Sequence, residues 1–368
     1  MKIVKDQITP MQLFFSTAAF GQGSSLLSSY FVGVLKQNSW LGVLAGYLIS
    51  LLLLSLYLFL LSKHPGKNLM EINEAVFGKA VGKVISVFYI LYFYSLVVLN
   101  TNDMDTFITG FIMPETPQIA IAALFALVCI LAARKGANAL VRYSAVLSIS
   151  QLIVTVAFTL LLVYQMRPEN LLPVMDIPAK QLIQGTHTIV ALPFGELIAF
   201  TMIIPFVTDQ KKVRRAFLGG FSLSAAVMME IVLGDILVLG PLLEYLTLPR
   251  YETARLINVL DVFNRMEILY ALILIILRFF KVGILLYAVV LGIAQVFNLR
   301  NYVPLVSVLG ALAAVYSVFV WHSGAEGGEW GANTAGVYSS FFNILLPLLT
   351  LGVYSIRALI TKRRVRPA

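Results

Sequence analysis

Thiol chemistry is almost absent from this chain: of 368 residues only Cys129 is a cysteine, so no intramolecular disulfide can form and no cysteine-built metal site exists. Histidine is nearly as scarce, with His64, His187 and His322 scattered far apart. Charge is thin as well, since Asp, Glu, Lys and Arg make up 12% of the chain where soluble domains carry about 25%. There is no HExxH pair, no nucleophile elbow and no phosphate-binding loop. A membrane enzyme needs clustered acids, bases or metal ligands, so neither catalysis nor a cofactor or metal is expected.

What the chain has instead is apolar length. Hydrophobic residues make up 59% of it and the mean hydropathy is +0.88. A membrane-spanning helix needs about 20 apolar residues. The pattern predicts an all-α integral membrane protein with ten transmembrane helices, at about 9–34, 39–62, 82–111, 117–133, 143–165, 184–207, 216–241, 263–297, 302–321 and 335–360. Residues 1–368 then form a single transmembrane domain. Its first repeat lies at about 8–165, its second at about 184–321, helices 9 and 10 at about 302–360, and a basic cytoplasmic tail at 361–368. Met1–Thr9 runs straight into the first span with no small-residue cleavage site, so no removable signal peptide is expected.

The net charge of +9 raises nucleic acid as a partner, but its distribution argues against one. With ten alternating spans and a cytoplasmic N-terminus, nineteen Lys and Arg fall inside, among them Lys2, Lys5, Lys63, Lys79, Lys211, Lys212, Arg300 and Arg366. Six fall outside: Lys36, Arg167, Lys180, Arg250, Arg255 and Arg265. This asymmetry follows the positive-inside rule and places both termini in the cytoplasm. The basic excess orients the chain, and the lipid bilayer, with its anionic headgroups, is the expected partner.

Two of the spans are interrupted. Gly21-Gln22-Gly23-Ser24 breaks the first and Pro193-Phe194-Gly195-Glu196 the sixth. Backbone groups freed in hydrocarbon cost several kcal/mol each unless protein, water or ligand takes them up. Breaks in corresponding spans of two halves point to a transporter-type site at the bilayer midplane, and an odd five spans per half gives a 5+5 inverted repeat. At the first break, the half-helix from Ser25 offers a positive dipole end suited to a carboxylate; the alternative is a glycine pair that only lets helices pack closely. Glu196 has three open roles: receiving a substrate ammonium, taking up a proton, or capping freed amides.

The eighth span carries Arg278 and Lys281, three apart and so on one helical face. Buried cations need partners; Glu196, Glu230 and Asp235 are the candidates, although the last two lie about 140° apart on their helix. Lys281 is open to three readings: a proton switch, a tethered cation, or half of a structural ion pair. Asn100, Asn102, Asp103 and Asp105 form a polar patch on the third span, with Asp103 and Asp105 on nearly opposite faces, so that at least one is expected near the headgroups. The connections 166–185, 243–264 and 322–333 read as external loops, the last a glycine-rich flexible turn.

The run Pro193-Phe-Gly-Glu-Leu-Ile-Ala-Phe followed by basic Asp209–Arg215 resembles the B subunits of spore germinant receptors (GerAB-type). So do Asn264-Arg-Met-Glu267 with Phe279-Phe280 beyond it, and the opening Ile8-Thr-Pro-Xaa-Gln-Leu-Phe-Phe. The resemblance covers essentially the whole chain. It implies the amino acid–polyamine–organocation superfamily and a LeuT-like fold with broken helices 1 and 6. It also implies a small-molecule germinant such as an amino acid, the spore's inner membrane as location, and a membrane-bound A subunit and a lipoprotein C subunit as partners. In that fold ligand sits between spans one, three, six and eight. Here this selects Gly21, Gln22, Gly23, Ser24, Val97, Asn100, Thr101, Phe194, Gly195, Glu196, Leu197, Lys281 and Val282 for ligand binding. Glu196, Glu230, Asp235, Arg278 and Lys281 are left as an ion-pair or proton-switch set. Lys281 falls where the fold's sodium site lies, which implies sodium-independent binding. A proton-coupled amino acid transporter of the same fold is the competing function.

Overall fold

A computed structural model describes residues 7–257 and 265–364. Lys2, Lys5, Arg366 and Asn264 of the sets above lie outside the described residues, as does the tail beyond Arg364. Thr9 caps the first helix, its hydroxyl accepting from the Gln12 amide while Gln12 returns a bond to Thr9 N–H, and Pro10 fits the first turn. That helix, α1 (Pro10–Gln22), stops at Gly23, and a short 3-10 turn at Ser25–Ser28 leads into α2 (Ser29–Leu35). The chain reverses at Lys36, whose φ is 53°, and returns as α3 (Ser39–Lys63). Then come α4 (Leu69–Phe77), α5 (Lys79–Phe111), α6 (Gln118–Ala133), α7 (Ala137–Val141) and α8 (Ser144–Leu162).

The second half starts with α9 (Ala179–Ile189), which loosens into a π turn at Val190–Phe194 and tightens into 3-10 helix over Gly195–Met202. It continues with α10 (Val213–Leu239), α11 (Pro249–Arg255), α12 (Met266–Val296) and α13 (Val303–Phe319). The last elements are α14 (Gly324–Asn333), α15 (Ala335–Ser340), a π turn at Phe341–Leu345, and α16 (Leu346–Arg364). Among the described residues the only strand-like pairing is one bridge between Ile8 and Val207.

Six stretches are each long and apolar enough to cross a bilayer: Ser25–Lys63, Lys79–Phe111, Ala137–Gln165, Val213–Glu244, Met266–Val296 and Ala335–Ile360. The protein is therefore an integral membrane protein. The other expected spans fail that test for visible reasons. Two are broken, and α6 is only 16 residues long. The 17-residue α13 passes only together with α14, from which it is bent by 100°. The segment 322–333, expected as a flexible turn, is instead helix α14, capped by Ser323 Oγ on the Glu326 amide at 3.2 Å.

Helix pairing obeys the exchange that an inverted repeat demands. The first span's α1 lies along α10 of the seventh, and the broken sixth span lies along α3 of the second. The third and eighth spans, α5 and α12, pack on each other, as do α2 and α9, the outer-side halves of the two broken spans. At one face the chain ends of both broken spans are tied: Ile8 N–H donates to Phe206 O at 3.1 Å and Thr208 N–H to Ile8 O at 2.9 Å. α12 is the central element, with 78% of its apolar window buried against 22% for the 335–360 span, which faces outward.

Candidate functional site

The break in the sixth span is satisfied by protein. Pro193 has no N–H to give the helix, and the winding changes from π to 3-10 just after it. Within this break Asn343 Nδ2 donates to Ala191 O at 2.8 Å. Gly195 makes room for it, because a Cβ there would lie 2.5 Å from Asn343 Nδ2. Asn343 itself sits in the second π turn, whose own freed carbonyls accept the buried hydroxyls of Tyr57 (onto Asn343 O) and Tyr89 (onto Phe342 O, 3.1 Å). The first break behaves differently. Gly23 N–H donates to Ala19 O at 2.9 Å and Ser24 N–H to Gly21 O at 3.0 Å, so these two amides at the break are spent on the chain itself. Gly21 and Gly23 are close-approach positions: a Cβ would come within 2.6 Å of Ser224 Cβ on α10 and 2.9 Å of Leu277 O on α12.

Both breaks meet α12 at one ammonium. Lys281, wholly buried, forms an ion pair with Glu196, donates to Ser24 Oγ at 2.7 Å, and stands 5.3 Å from the Phe20 ring centroid. Ser24 Oγ in turn points its proton at Phe20 O, 3.4 Å away, leaving its lone pairs to the ammonium. One turn earlier on α12, Arg278 is also fully buried; its Nη1 donates to Asn100 Oδ1 and lies 3.4 Å from Asp103 Oδ2. Asp103 completes the chain by accepting from the Tyr30 hydroxyl of α2 at 3.0 Å. Four spans thus share two cations and two carboxylates.

Partners assigned on charge alone need correction. Glu230 and Asp235 do not reach the α12 cations; both face Arg250, at 3.4 and 3.5 Å. They were 140° apart on paper, but a long guanidinium lying across the helix spans that arc, and Arg250, expected in an outer loop, is buried on α11. On α5, neither aspartate sits free at the membrane surface. Asp103 faces Arg278, while Asp105 accepts from Gln118 Nε2 at 2.6 Å and Ser317 Oγ at 2.8 Å, tying α5 to α6 and α13. Tyr30 and Asn343 are site residues that composition and spacing did not single out, and Asp103 was named only as part of a polar patch.

Two cavities stack at this centre. The outer one, about 430 Å³, is walled by α2, α5, the 246–248 loop and the 321–328 corner. Beneath it lies a chamber of about 20 Å³ lined by Leu27, Leu96, Asn100, Leu192, Glu196 and Ser339, among others. Tyr30, Asp103 and Trp321 line both. The chamber is the size of about one water, so a larger ligand needs these three side chains to part. Of the residues expected to bind ligand only Asn100 and Glu196 line the chamber; residues 21–24, Gly195 and Lys281 do not, and Val97, Thr101, Phe194, Leu197 and Val282 are buried in packing. The Thr101 hydroxyl is turned back onto Val97 O at 2.7 Å, and the Phe194 ring packs edge-on against Phe221 at 5.0 Å. Gln22 is buried, and its side-chain amide has no partner among the described residues.

Comparison with known proteins agrees with this architecture. The family model described as spore germination protein matches residues 7–324. Spore germination protein KB of Bacillus subtilis (strain 168) is 29% identical over 349 residues, covering 94% of this chain and 93% of that protein. Among solved structures, a Na+-coupled sialic acid symporter in a substrate-bound outward-open state superposes with a TM-score of 0.66 at 11% identity, over 89% of this chain and 77% of that one. A nucleobase-cation-symport-1 family transporter in a closed conformation with bromovinylhydantoin bound gives 0.65 at 13%, over 89% and 75%. At those identities the likeness is one of fold: the chain has the LeuT-like fold of such transporters.

Proposed function

This chain belongs to the spore germination protein family, and we propose that it is the nutrient-sensing B subunit of a spore germinant receptor. A small germinant, an amino acid or similar molecule, binds at the bilayer midplane and biases the fold between two states. The observation that carries the reading is the convergence of both helix breaks on the Lys281–Glu196 pair, beside a chamber roofed by an outer cavity. A ligand switches such a protein only through its differential affinity for the two states, and a chamber of one-water size is one of them. The other has Tyr30, Asp103 and Trp321 drawn apart.

The finer placement follows from the same premise: ten spans, both termini in the cytoplasm, residence in the spore's inner membrane, and assembly with a membrane-bound A subunit and a lipoprotein C subunit. The fold supports a second reading, a proton-coupled amino acid transporter, because the similar solved structures are transporters. Uphill uptake by the isolated protein in liposomes would favour that second reading over the receptor.

The test is thermal stabilisation of the purified protein in nanodiscs by amino acids, sugars and nucleosides, each with and without sodium. A ligand at 100 times its Kd stabilises by about 2.7 kcal/mol. A selective hit that Glu196→Gln abolishes supports the midplane site. Hits untouched by Glu196→Gln and Lys281→Met would put the site elsewhere.

A further inference from the structure

A guanidinium carries five N–H donors in a fixed plane and has no neutral form to retreat to. Arg278 is wholly buried, yet only its Nη1 finds acceptors, at Asn100 and Asp103. Its Nε and Nη2 have no hydrogen-bond partner among the described residues. Leaving charged donors unpaired in a protein interior is costly, so a fold that retains such an edge is holding it for something. Nε and Nη2 lie on the same side of the guanidinium and point in parallel, the fork that a carboxylate meets with both oxygens.

Other donors near the breaks are engaged. The amides of Gly23 and Ser24 are spent on Ala19 and Gly21. The Lys281 ammonium is engaged by Glu196 and Ser24. Asn343 Nδ2 is committed to Ala191 O. We infer that the ligand of the proposed midplane site carries a carboxylate, and that the Nε–Nη2 edge of Arg278 is the group that receives it. The inference rests on that site being a ligand site at all.

Charge selects the carboxylate among oxyanions. Arg278 and Lys281 are balanced by Asp103 and Glu196, so the cluster is neutral as it stands. A singly charged carboxylate, or the carboxylate of a zwitterion, adds far less uncompensated charge than a phosphate dianion would. Arg278 lines neither cavity itself, so a ligand reaches it only past its own partners. Asp103 and Asn100, the two residues on Nη1, both line the small chamber, and Asp103 with Tyr30 also lines the outer cavity. A ligand passing Tyr30 meets Asp103 first. Asp103 holds Nη1 and not the open Nε–Nη2 edge, so it opposes an incoming carboxylate by its charge rather than by occupying the same donors.

The experiment pairs acids with their amides. The purified protein in nanodiscs is challenged with L-amino acids and with the matching L-amino acid amides, such as L-alanine against L-alaninamide, with D-glucose and inosine as uncharged probes. Stabilisation by one or more acids, at least tenfold weaker for the matching amide, is the expected result. Two variants, each confirmed folded by its own unfolding transition, then assign the group. Arg278→Lys keeps the charge but loses the fork, and should erase the acid-over-amide preference. Asp103→Asn removes that opposing charge, and should increase acid affinity severalfold while leaving the amide unchanged. Amides or uncharged probes binding as well as acids, or an acid preference that survives Arg278→Lys, overturns the inference and leaves the midplane site standing. No stabilisation by any probe overturns both.

Discussion

Lys281 donates to Ser24 Oγ at 2.7 Å across 257 residues of sequence, and the same ammonium holds Glu196. One side chain on the central helix therefore clamps the breaks of both interrupted spans. Removing it strands a carboxylate that is itself buried. Breaking a buried pair from one side costs about 3–5 kcal/mol, whereas replacing both members by apolar groups is often neutral. Lys281→Met should lower stability by that amount, and Lys281→Met with Glu196→Leu should recover much of it. Unfolding in detergent, followed by circular dichroism, reads both. A double variant no more stable than the single one would mean the pair is not a closed unit.

Two glycines of the first span make a sharp contrast. A Cβ at Gly23 would meet Leu277 O at 2.9 Å and Leu277 C at 3.2 Å, both backbone atoms of α12 that cannot swing aside. A Cβ at Gly33 on α2 meets nothing within 4 Å. Gly23→Ala should push α1 off α12, lower the unfolding temperature and weaken any ligand response. Gly33→Ala should be neutral or slightly stabilising, since Ala is the better helix residue by about 1 kcal/mol. Equal melting temperatures for the two variants would refute the close packing of α1 on α12.

What could be read before the structure, and what could not, divides along physical lines. Gly21–Ser24 and Pro193–Glu196 declared themselves because glycine and proline interrupt an apolar run in a way nothing else does. The Lys281–Glu196 pair was foreseeable because a cation in hydrocarbon must find an anion. Whether Asp103 or Asp105 would face the centre was not, because face arithmetic on α5 says that they diverge but not what stands opposite each. The glycines of 324–331 suggested a flexible turn. In the fold two of the four are contacts: Gly327 lies against the Trp321 ring and Gly331 against the Tyr30 ring, which helix α14 needs in order to pack. Asn343 offered no signal at all, since one amide in an apolar span becomes meaningful only beside a carbonyl 152 residues away.

That amide carries its own prediction. Asn343→Leu removes the donor to Ala191 O and leaves a buried carbonyl unpaired beside Pro193. The loss should be about 1–3 kcal/mol. Asn343→Ser is shorter and should not rescue it. The same unfolding assay decides: a change under about 0.5 kcal/mol, the size of a neutral surface substitution, would show that the sixth-span break is held by something other than this cap.

The remaining buried ion cluster concerns α11, which follows the 246–248 loop of the outer cavity wall. Arg250 reaches back from this short helix to Glu230 and Asp235 on α10 and lies 5.8 Å from the Phe158 ring centroid on α8, so one side chain staples a seven-residue helix to two spans. A helix that short has little stability of its own; without the staple it should leave its seat. The chain is suited to a direct check, because its single native thiol, Cys129, is buried. Thr253 on α11 is fully buried; its hydroxyl bonds back to Pro249 O at 2.9 Å and also faces Asp235, and a thiol fills nearly the same volume, so Thr253→Cys is a mild substitution. In a Cys129→Ala background, Cys at this position should resist a water-soluble maleimide as long as Arg250 is present. Adding Arg250→Met should make it react at least tenfold faster, because α11 then opens to solvent while Glu230 and Asp235 hydrate. Equal protection with and without Arg250 would mean that apolar packing of α11 against α10 and α12 is enough, and that the ion cluster serves α10 alone.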